Sequence, residues 1–82
     1  MKEIEWTDAS LEDMAALDER IGRRVKQVVE RFAATGAGSV RKLQGMALPE
    51  YRLRVGDYRV RFELTGKTIR VLRVRNRREA YR

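Results

Sequence analysis

Arginines are the residues of this sequence whose type and spacing suit them best to chemistry. Between Tyr51 and Leu64, four of them alternate with apolar residues: Arg52, Arg54, Arg59 and Arg61. A guanidinium is a planar cation that binds phosphate through paired hydrogen bonds and stabilises negative charge developing on it. Because its pKa lies above about 12, it is rarely available as a general base. The pattern therefore predicts a phosphate-binding face, with proton transfer left to other groups.

The composition lacks the commonest groups for other kinds of catalytic and metal-binding chemistry. Histidine and cysteine are both missing from the sequence. The commonest general base, the commonest metal ligand and every thiolate are therefore absent. We expect no metal site, no cofactor and no disulfide.

The charge of the chain is unevenly distributed. Of 82 residues with a net charge of +7, residues 1–51 hold 8 basic and 9 acidic side chains, whereas residues 52–82 hold 11 and 3. Such a basic segment predicts a polyanionic partner such as nucleic acid, the ribosome or an acidic protein; a solvated face that prevents aggregation is the alternative. Arginine outnumbers lysine ten to one in this segment, which favours phosphate. We find no transmembrane run or signal peptide, so we expect a cytoplasmic location and no membrane partner.

The elements that must position the arginines are two strands joined at Gly56-Asp57. Alternation of apolar and charged residues on both sides of this turn predicts a β-hairpin. Arg52 and Arg54 share one face of its first strand, and Arg59 shares a face of the second with Arg61 and Glu63. The apolar positions, including Tyr58 and Phe62, form the core face, as we also expect for Trp6; Tyr51 fits either core or site.

The first half of the chain predicts a strand followed by two helices. Met1 to Trp6 alternates loosely and predicts a short strand. The segment from Thr7 to Ser10 offers a helix start, in which Ser10 with Asp13 resembles a capping box. A helical apolar stripe then runs from Leu11 to Thr35, with a break near Leu17-Asp18.

The rest of the chain contains loops and one further strand. We interpret residues 36–39 as a loop and 40–50 as a connection to the hairpin. Thr68 to Val74 predicts a last strand, either buried on both faces or interrupted by a bulge, because its apolar residues change parity. Residues 75–82 form a basic tail.

Three segments in this order resemble the RelE/ParE superfamily of toxin–antitoxin toxins. They are Lys42-Leu43-Gln44-Gly45, the run from Tyr51 to Val60, and Asn76-Arg77-Arg78-Glu79-Ala80-Tyr81-Arg82. The resemblance covers nearly the whole chain. It implies a single domain over residues 1–82 with an α+β fold of order β-α-α-β-β-β, in which two N-terminal helices pack on an antiparallel-rich sheet. It also implies a basic concave face and a cognate antitoxin, acidic where it meets that face.

Within the superfamily, the sequence is more similar to the RelE-like branch. That branch consists of ribosome-dependent, metal-independent endonucleases that cut messenger RNA in the ribosomal A site through attack of a 2′-hydroxyl. The resemblance implies catalytic roles for Arg52, Arg54, Arg59, Arg77 and Tyr81. We assign substrate binding to Lys42, Arg61, Arg75 and Arg78. Arg77 is our choice for the functional arginine of the tail, and Arg75 and Arg78 are the alternatives. We expect Arg59 to be exposed, so that its replacement would leave the fold intact.

The sequence departs from well-known RelE-like members, which have lysines or a histidine among these residues. The general base and acid therefore stay open between Tyr81, Glu79, Glu50 and a group of the ribosomal RNA. Two other functions stay open as well. One is a ParE-like toxin that inhibits DNA gyrase through a protein interface. The other is a catalytically weak toxin that retains antitoxin binding and reaches operator DNA only through the antitoxin.

Overall fold

Two helices pack on one face of a five-stranded mixed sheet in this computed structural model, which describes residues 1–45 and 49–80, the side chains of 79 and 80 excepted. The elements are β1 (Glu3–Trp6), α1 (Asp8–Ala15), α2 (Glu19–Thr35), β2 (Ser39–Lys42), β3 (Glu50–Val55), β4 (Tyr58–Leu64), β5 (Thr68–Asn76) and α3 (Arg77–Ala80). The strand order is β1-β5-β4-β3-β2, with β1 parallel to β5 and every other pair antiparallel. The predicted α+β fold is confirmed.

The core lies between α2 and the apolar face of the sheet. Phe62 is at its centre, with its ring 5.3 Å from that of Phe32 on α2 and 5.6 Å from that of Tyr51, with which it stacks. Tyr51 therefore belongs to the core face, which settles its ambiguous assignment. Trp6 and Tyr58 pack against the same core, as predicted. The buried apolar residues are Val25, Val29, Ala33, Leu53, Val55, Val60, Phe62, Ile69, Val71 and Val74.

The predicted break between the helices is confirmed, and α1 begins within the predicted segment from Thr7 to Ser10, but the predicted capping box of Ser10 and Asp13 is wrong. Asp18 caps α2 by accepting a hydrogen bond from the Arg20 N–H. The cap of α1 is Thr7, whose hydroxyl accepts from the N–H of Ser10. Ser10 lies inside the helix, and Asp13 bonds to β5 instead of reaching back to the helix start. Spacing alone cannot distinguish a local capping box from a carboxylate used in a tertiary contact.

A bulge in β5 explains its change of parity. Phe62 of β4 lies opposite Val71, and the preceding Arg61 lies opposite Arg73, so Leu72 is an extra residue. Such an insertion reverses the face on which every later side chain lies. Val71 and Val74 are consequently both buried in the core, and the bulge alternative is confirmed.

Two segments carry more secondary structure than the sequence predicts. β2 forms inside the stretch interpreted as loop and connection, and β5 extends to Asn76 before the short helix α3 replaces the predicted tail. All residues of β2 are exposed, and among the described strands it pairs with β3 alone. A short edge strand that buries neither face has no apolar alternation by which it could be recognised.

Candidate phosphate-binding site

On the sheet face opposite the helices, two rows that run across four strands hold seven arginines. The first row pairs Ser39, Arg54, Arg59 and Arg75 across β2, β3, β4 and β5. The second row pairs Arg41, Arg52, Arg61 and Arg73 across the same strands. Residues directly opposite each other share a face of the sheet. The two rows, called the arginine face below, therefore form one continuous cationic surface.

This arrangement places like charges side by side. Directly opposed like charges destabilise a sheet by a few tenths to about 1 kcal/mol per pair. Acidic partners offset the charge at the flanks: the Arg61 guanidinium lies 3.1 Å from the Glu50 carboxylate, and that of Arg73 lies 2.9 Å from the Asp13 carboxylate. Among the described residues, no carboxylate is within ion-pair distance of Arg41, Arg54, Arg59 or Arg75. Four arginines of the two rows therefore lack an ion-pair partner among the described residues, which makes this face a candidate anion site.

A polar cleft opens between the two rows. Its lining residues are Ser39, Val40, Arg41, Arg52, Arg54 and Arg59, and its volume is about 210 Å³. Small-molecule pockets typically enclose about 300–1,000 Å³. The cleft is thus smaller than a typical small-molecule pocket.

Arg59 is the innermost cation of the cleft, and the expectation that it is exposed is wrong. Only 8% of its surface is accessible. Its Nη1 donates to the carbonyls of Gly56 and Tyr58, at 2.9 and 3.0 Å. Gly56 holds the turn with a positive φ of 58°, so the guanidinium folds back against the hairpin tip. The remaining N–H groups of Arg59 make no hydrogen bond to any described residue and stay available to an anion.

Sequence profiles place the chain among known proteins. The profile described as "ParE toxin of type II toxin-antitoxin system, parDE" matches residues 4–81. The chain belongs to this family. The predicted membership of the RelE/ParE superfamily is confirmed. A search of curated proteins found no match.

Solved structures share the toxin's fold. The RelE toxin in the RelB–RelE complex from Methanococcus jannaschii is 26% identical, with a TM-score of 0.76 and 94% of each chain covered. The toxin of the archaeal RelE–RelB complex from Pyrococcus horikoshii OT3 is 23% identical, with a TM-score of 0.77, over 93% of this chain and 94% of that one. YafQ from Escherichia coli strain BL21(DE3) is 14% identical, with a TM-score of 0.77, over the full length of both chains.

The structure brings most, but not all, of the predicted site residues together. Arg52, Arg54, Arg59, Arg61 and Arg75 all lie on the arginine face of the toxin. Arg41 joins them, although the sequence did not single it out, because the strand that carries it was not predicted. Because β2 buries neither face, the sequence carried no apolar alternation from which the position of Arg41 could have been predicted.

Three predicted residues lie elsewhere. Lys42 is opposite Tyr51 and so lies on the other face of β2. Arg77 and Arg78 are exposed on α3, where they border a second cleft with Asp57 and Asn76. The N–H of Arg77 donates to the Asp57 carbonyl at 2.6 Å, which joins the start of α3 to the hairpin tip. Tyr81 lies outside the described residues.

No acidic residue is among the described residues that line the cleft, and Glu50 lies beside it on β3. Glu50 is 8% exposed, and both its carboxylate oxygens accept from Arg61. The Nε of Arg61 is buried without a hydrogen-bond partner among the described residues. A carboxylate in such a pair holds a cation in place and is poorly placed to accept a proton from substrate.

The arginine face lowers the pKa of Asp13. Burial acts to raise its pKa, but the hydrogen bonds from Arg73 and the Val74 N–H, with the charges of Arg73 and Arg75, outweigh burial and lower the pKa below its ordinary value of 3.8. The carboxylate is therefore firmly ionised at neutral pH.

A second basic surface lies on the outer side of α2, on the opposite side of the sheet. Arg20, Arg23, Arg24 and Arg31 are exposed there. This surface was not apparent from the net charge of residues 1–51, because the acidic residues that precede Arg20 cancel its positive charge in that sum.

Two further features were searched for in the part of the chain that the structure describes. Within residues 1–45 and 49–80, no three acidic side chains cluster as metal ligands. No helix in that part of the chain is both long and apolar enough to cross a membrane.

Proposed function

We propose that the toxin is a ribosome-dependent endonuclease that binds the scissile phosphate of messenger RNA in its arginine cleft. The observation that carries this proposal is Arg59, a largely buried guanidinium that has two carbonyl partners and no acidic one among the described residues. Buried charges in proteins are normally paired. An incoming phosphate would complete the pairing.

The geometry supports charge stabilisation as the main contribution of the protein. In the proposed step, the 2′-oxygen bonds to phosphorus as the bond to the 5′-oxygen breaks, leaving a 2′,3′-cyclic phosphate and a 5′-hydroxyl. Arg54 and Arg59 flank the cleft from opposite strands and would hold the non-bridging oxygens, on which charge accumulates. Holding the 2′-oxygen in line with phosphorus can itself contribute several kcal/mol.

Two protons must also move. One leaves the 2′-hydroxyl and one reaches the departing 5′-oxygen. Glu50 is occupied by Arg61, so we favour Tyr81, Glu79 or a ribosomal RNA group for these roles. If one of these groups belongs to the ribosome, cleavage would depend on the ribosome.

An antitoxin would silence the toxin by covering the arginine face. The solved RelE structures from M. jannaschii and P. horikoshii are complexes with RelB, and we extend this arrangement to a cognate antitoxin here. Its contacting segment should be acidic, lying across Arg52, Arg54 and Arg59. Operator DNA would be reached only through that complex, and the site of action would be cytoplasmic.

Primer extension on a defined messenger RNA in programmed ribosomes tests the proposal. We expect cuts within the A-site codon with the parent toxin, none with Arg54→Gln, and few with Tyr81→Phe. Arg24→Gln on α2 is the matched control, because it removes the same charge away from the cleft. Message left intact by parent toxin at concentrations that arrest translation or growth would contradict the proposal.

Gyrase inhibition is the second candidate. It is favoured by the ParE profile match and by the lack of histidine in the chain. Loss of DNA supercoiling by purified gyrase in the presence of the toxin, with messenger RNA uncut, would select it. If a folded toxin that still binds its antitoxin neither cuts messenger RNA nor inhibits gyrase, the catalytically weak alternative would be selected.

A further inference from the structure

The extra residue Leu72 determines which side chains β5 contributes to the arginine face. Ile69 and Val71 point into the core. With uninterrupted alternation, Arg73 and Arg75 would follow them to the same side. Because Leu72 is inserted, Val74 turns into the core and Arg75 lies opposite Arg59.

Two residues at the start of the helical segment hold this bulge from both sides. Before Leu72, the Thr7 hydroxyl donates to the carbonyls of Val71 and Leu72, at 2.7 and 3.2 Å, and the Thr7 N–H also donates to Val71. After Leu72, the Asp13 carboxylate accepts from the Val74 N–H at 2.8 Å and from Arg73 Nε at 2.9 Å.

These contacts replace the missing strand pairing. β1 pairs with β5 only as far as Val71. Beyond that residue, the edge of β5 would present unpaired backbone groups, and a strand with an unpaired edge is prone to slip in register. α1 supplies an acceptor for the Val74 N–H at this edge. The register of the arginine-bearing half of β5 thus depends on a helix that lies outside the cleft.

We propose that Thr7 and Asp13 are positioning residues that fix the bulge and thereby place Arg75 beside Arg59 for binding RNA phosphates. This inference rests on the proposed function. Neither residue touches the substrate. Both act through the position of Leu72.

Asp13 is informative because a simple charge effect and a positioning role predict opposite effects of its replacement on RNA binding. Removing a carboxylate from a basic face should strengthen binding of a polyanion. Loss of positioning should weaken it. We would measure the affinity of purified toxin for a fluorescent 2′-O-methyl RNA oligonucleotide, which the proposed 2′-hydroxyl attack cannot cleave. We expect Asp13→Asn to weaken binding by roughly threefold or more.

A double-mutant cycle separates positioning from general destabilisation. Asp13→Asn should weaken binding in the Arg41→Gln background and have little effect in the Arg75→Gln background, where the cation it positions is gone. Unchanged or tighter binding by folded Asp13→Asn toxin would overturn the proposal. An equal loss in both backgrounds would do so too.

Thr7 provides a second test if Asp13→Asn toxin does not fold, as judged by circular dichroism. Thr7→Ala should weaken binding in the same background-dependent way, and Thr7→Ser, which keeps the hydroxyl, should restore it. Failure of Thr7→Ser to restore binding would overturn the proposal. Asp18→Ala is the control, because it removes a helix cap without touching the bulge and should leave RNA affinity unchanged.

If the proposed function itself is wrong, the variants should show a different pattern of RNA affinities from the one expected if only the positioning role is wrong. If Arg54→Gln and Arg75→Gln bind the oligonucleotide as tightly as the parent toxin, the arginine face is not a phosphate site. If both variants bind weakly and the Asp13 and Thr7 variants do not, the phosphate site stands and the positioning role fails.

Discussion

Arg54 and Arg59 lie directly opposite each other on β3 and β4, and no described carboxylate is within ion-pair distance of either. Two neighbouring cations on a sheet repel each other. The sequence tolerates this repulsion at the lining of its polar cleft. Local rules of stability are commonly broken where function requires it.

Replacing Arg54 should stabilise the toxin while removing its activity. Arg54→Gln relieves the repulsion with Arg59, so we expect the free energy of unfolding in urea to rise by about 0.2–1 kcal/mol. The slope of log affinity for RNA against log salt concentration should also fall in magnitude by about 0.7–0.9, as expected for one lost phosphate contact. Arg24→Gln should alter neither quantity appreciably; a lower stability for Arg54→Gln would show that Arg54 is structurally required.

Arg59 should behave in the opposite way. Arg59→Ala removes the donors to the Gly56 and Tyr58 carbonyls, so we expect a loss of about 1–3 kcal/mol in the free energy of unfolding. Toxicity should be lost too, and denaturation measured beside growth assays separates the two effects. Parent-like stability of this variant would contradict a stabilising role for the bonds between Arg59 and the hairpin tip.

The bonds of Asp13 should make stability depend on pH. Its pKa is lower in the folded chain than its ordinary value of 3.8, so the folded state binds the proton more weakly than the unfolded state. The stabilisation is therefore complete above the ordinary value and is lost as pH falls through the folded pKa. In urea titrations, the stability difference between parent and Asp13→Asn toxin should be largest near neutral pH and shrink under acid; a constant difference would contradict the assignment.

The turn at Gly56 should tolerate no side chain without cost. A Cβ there would meet no neighbour within 4 Å, so the effect of Gly56→Ala comes from the positive φ alone, and we expect a loss of about 1–2 kcal/mol. Gly66→Ala is the control, since a Cβ there also meets open space and its φ is not positive. Equal stability of the two variants would show that the turn relaxes.

The strands and helices with a strong apolar pattern were predictable from the sequence, and the parts without one were not. The hairpin and its basic face follow from alternation, and the change of parity near Leu72 already indicated a bulge. β2 was missed because it buries nothing, and Arg41 was missed with it. The burial of Arg59 was missed because alternation fixes the face of a side chain and not whether its end folds back on the turn. Asp13 was assigned to a local cap because its true partners are about sixty residues away.

The repulsion within the arginine face should also affect which mutations inactivate the toxin. Most inactivating mutations of an enzyme reduce folding and expose the chain to degradation. Many single substitutions on this face should instead yield a toxin that is harmless, well folded and abundant. Escape from toxicity is then open to many single base changes, and the harmless alleles should accumulate as intact reading frames rather than as truncations.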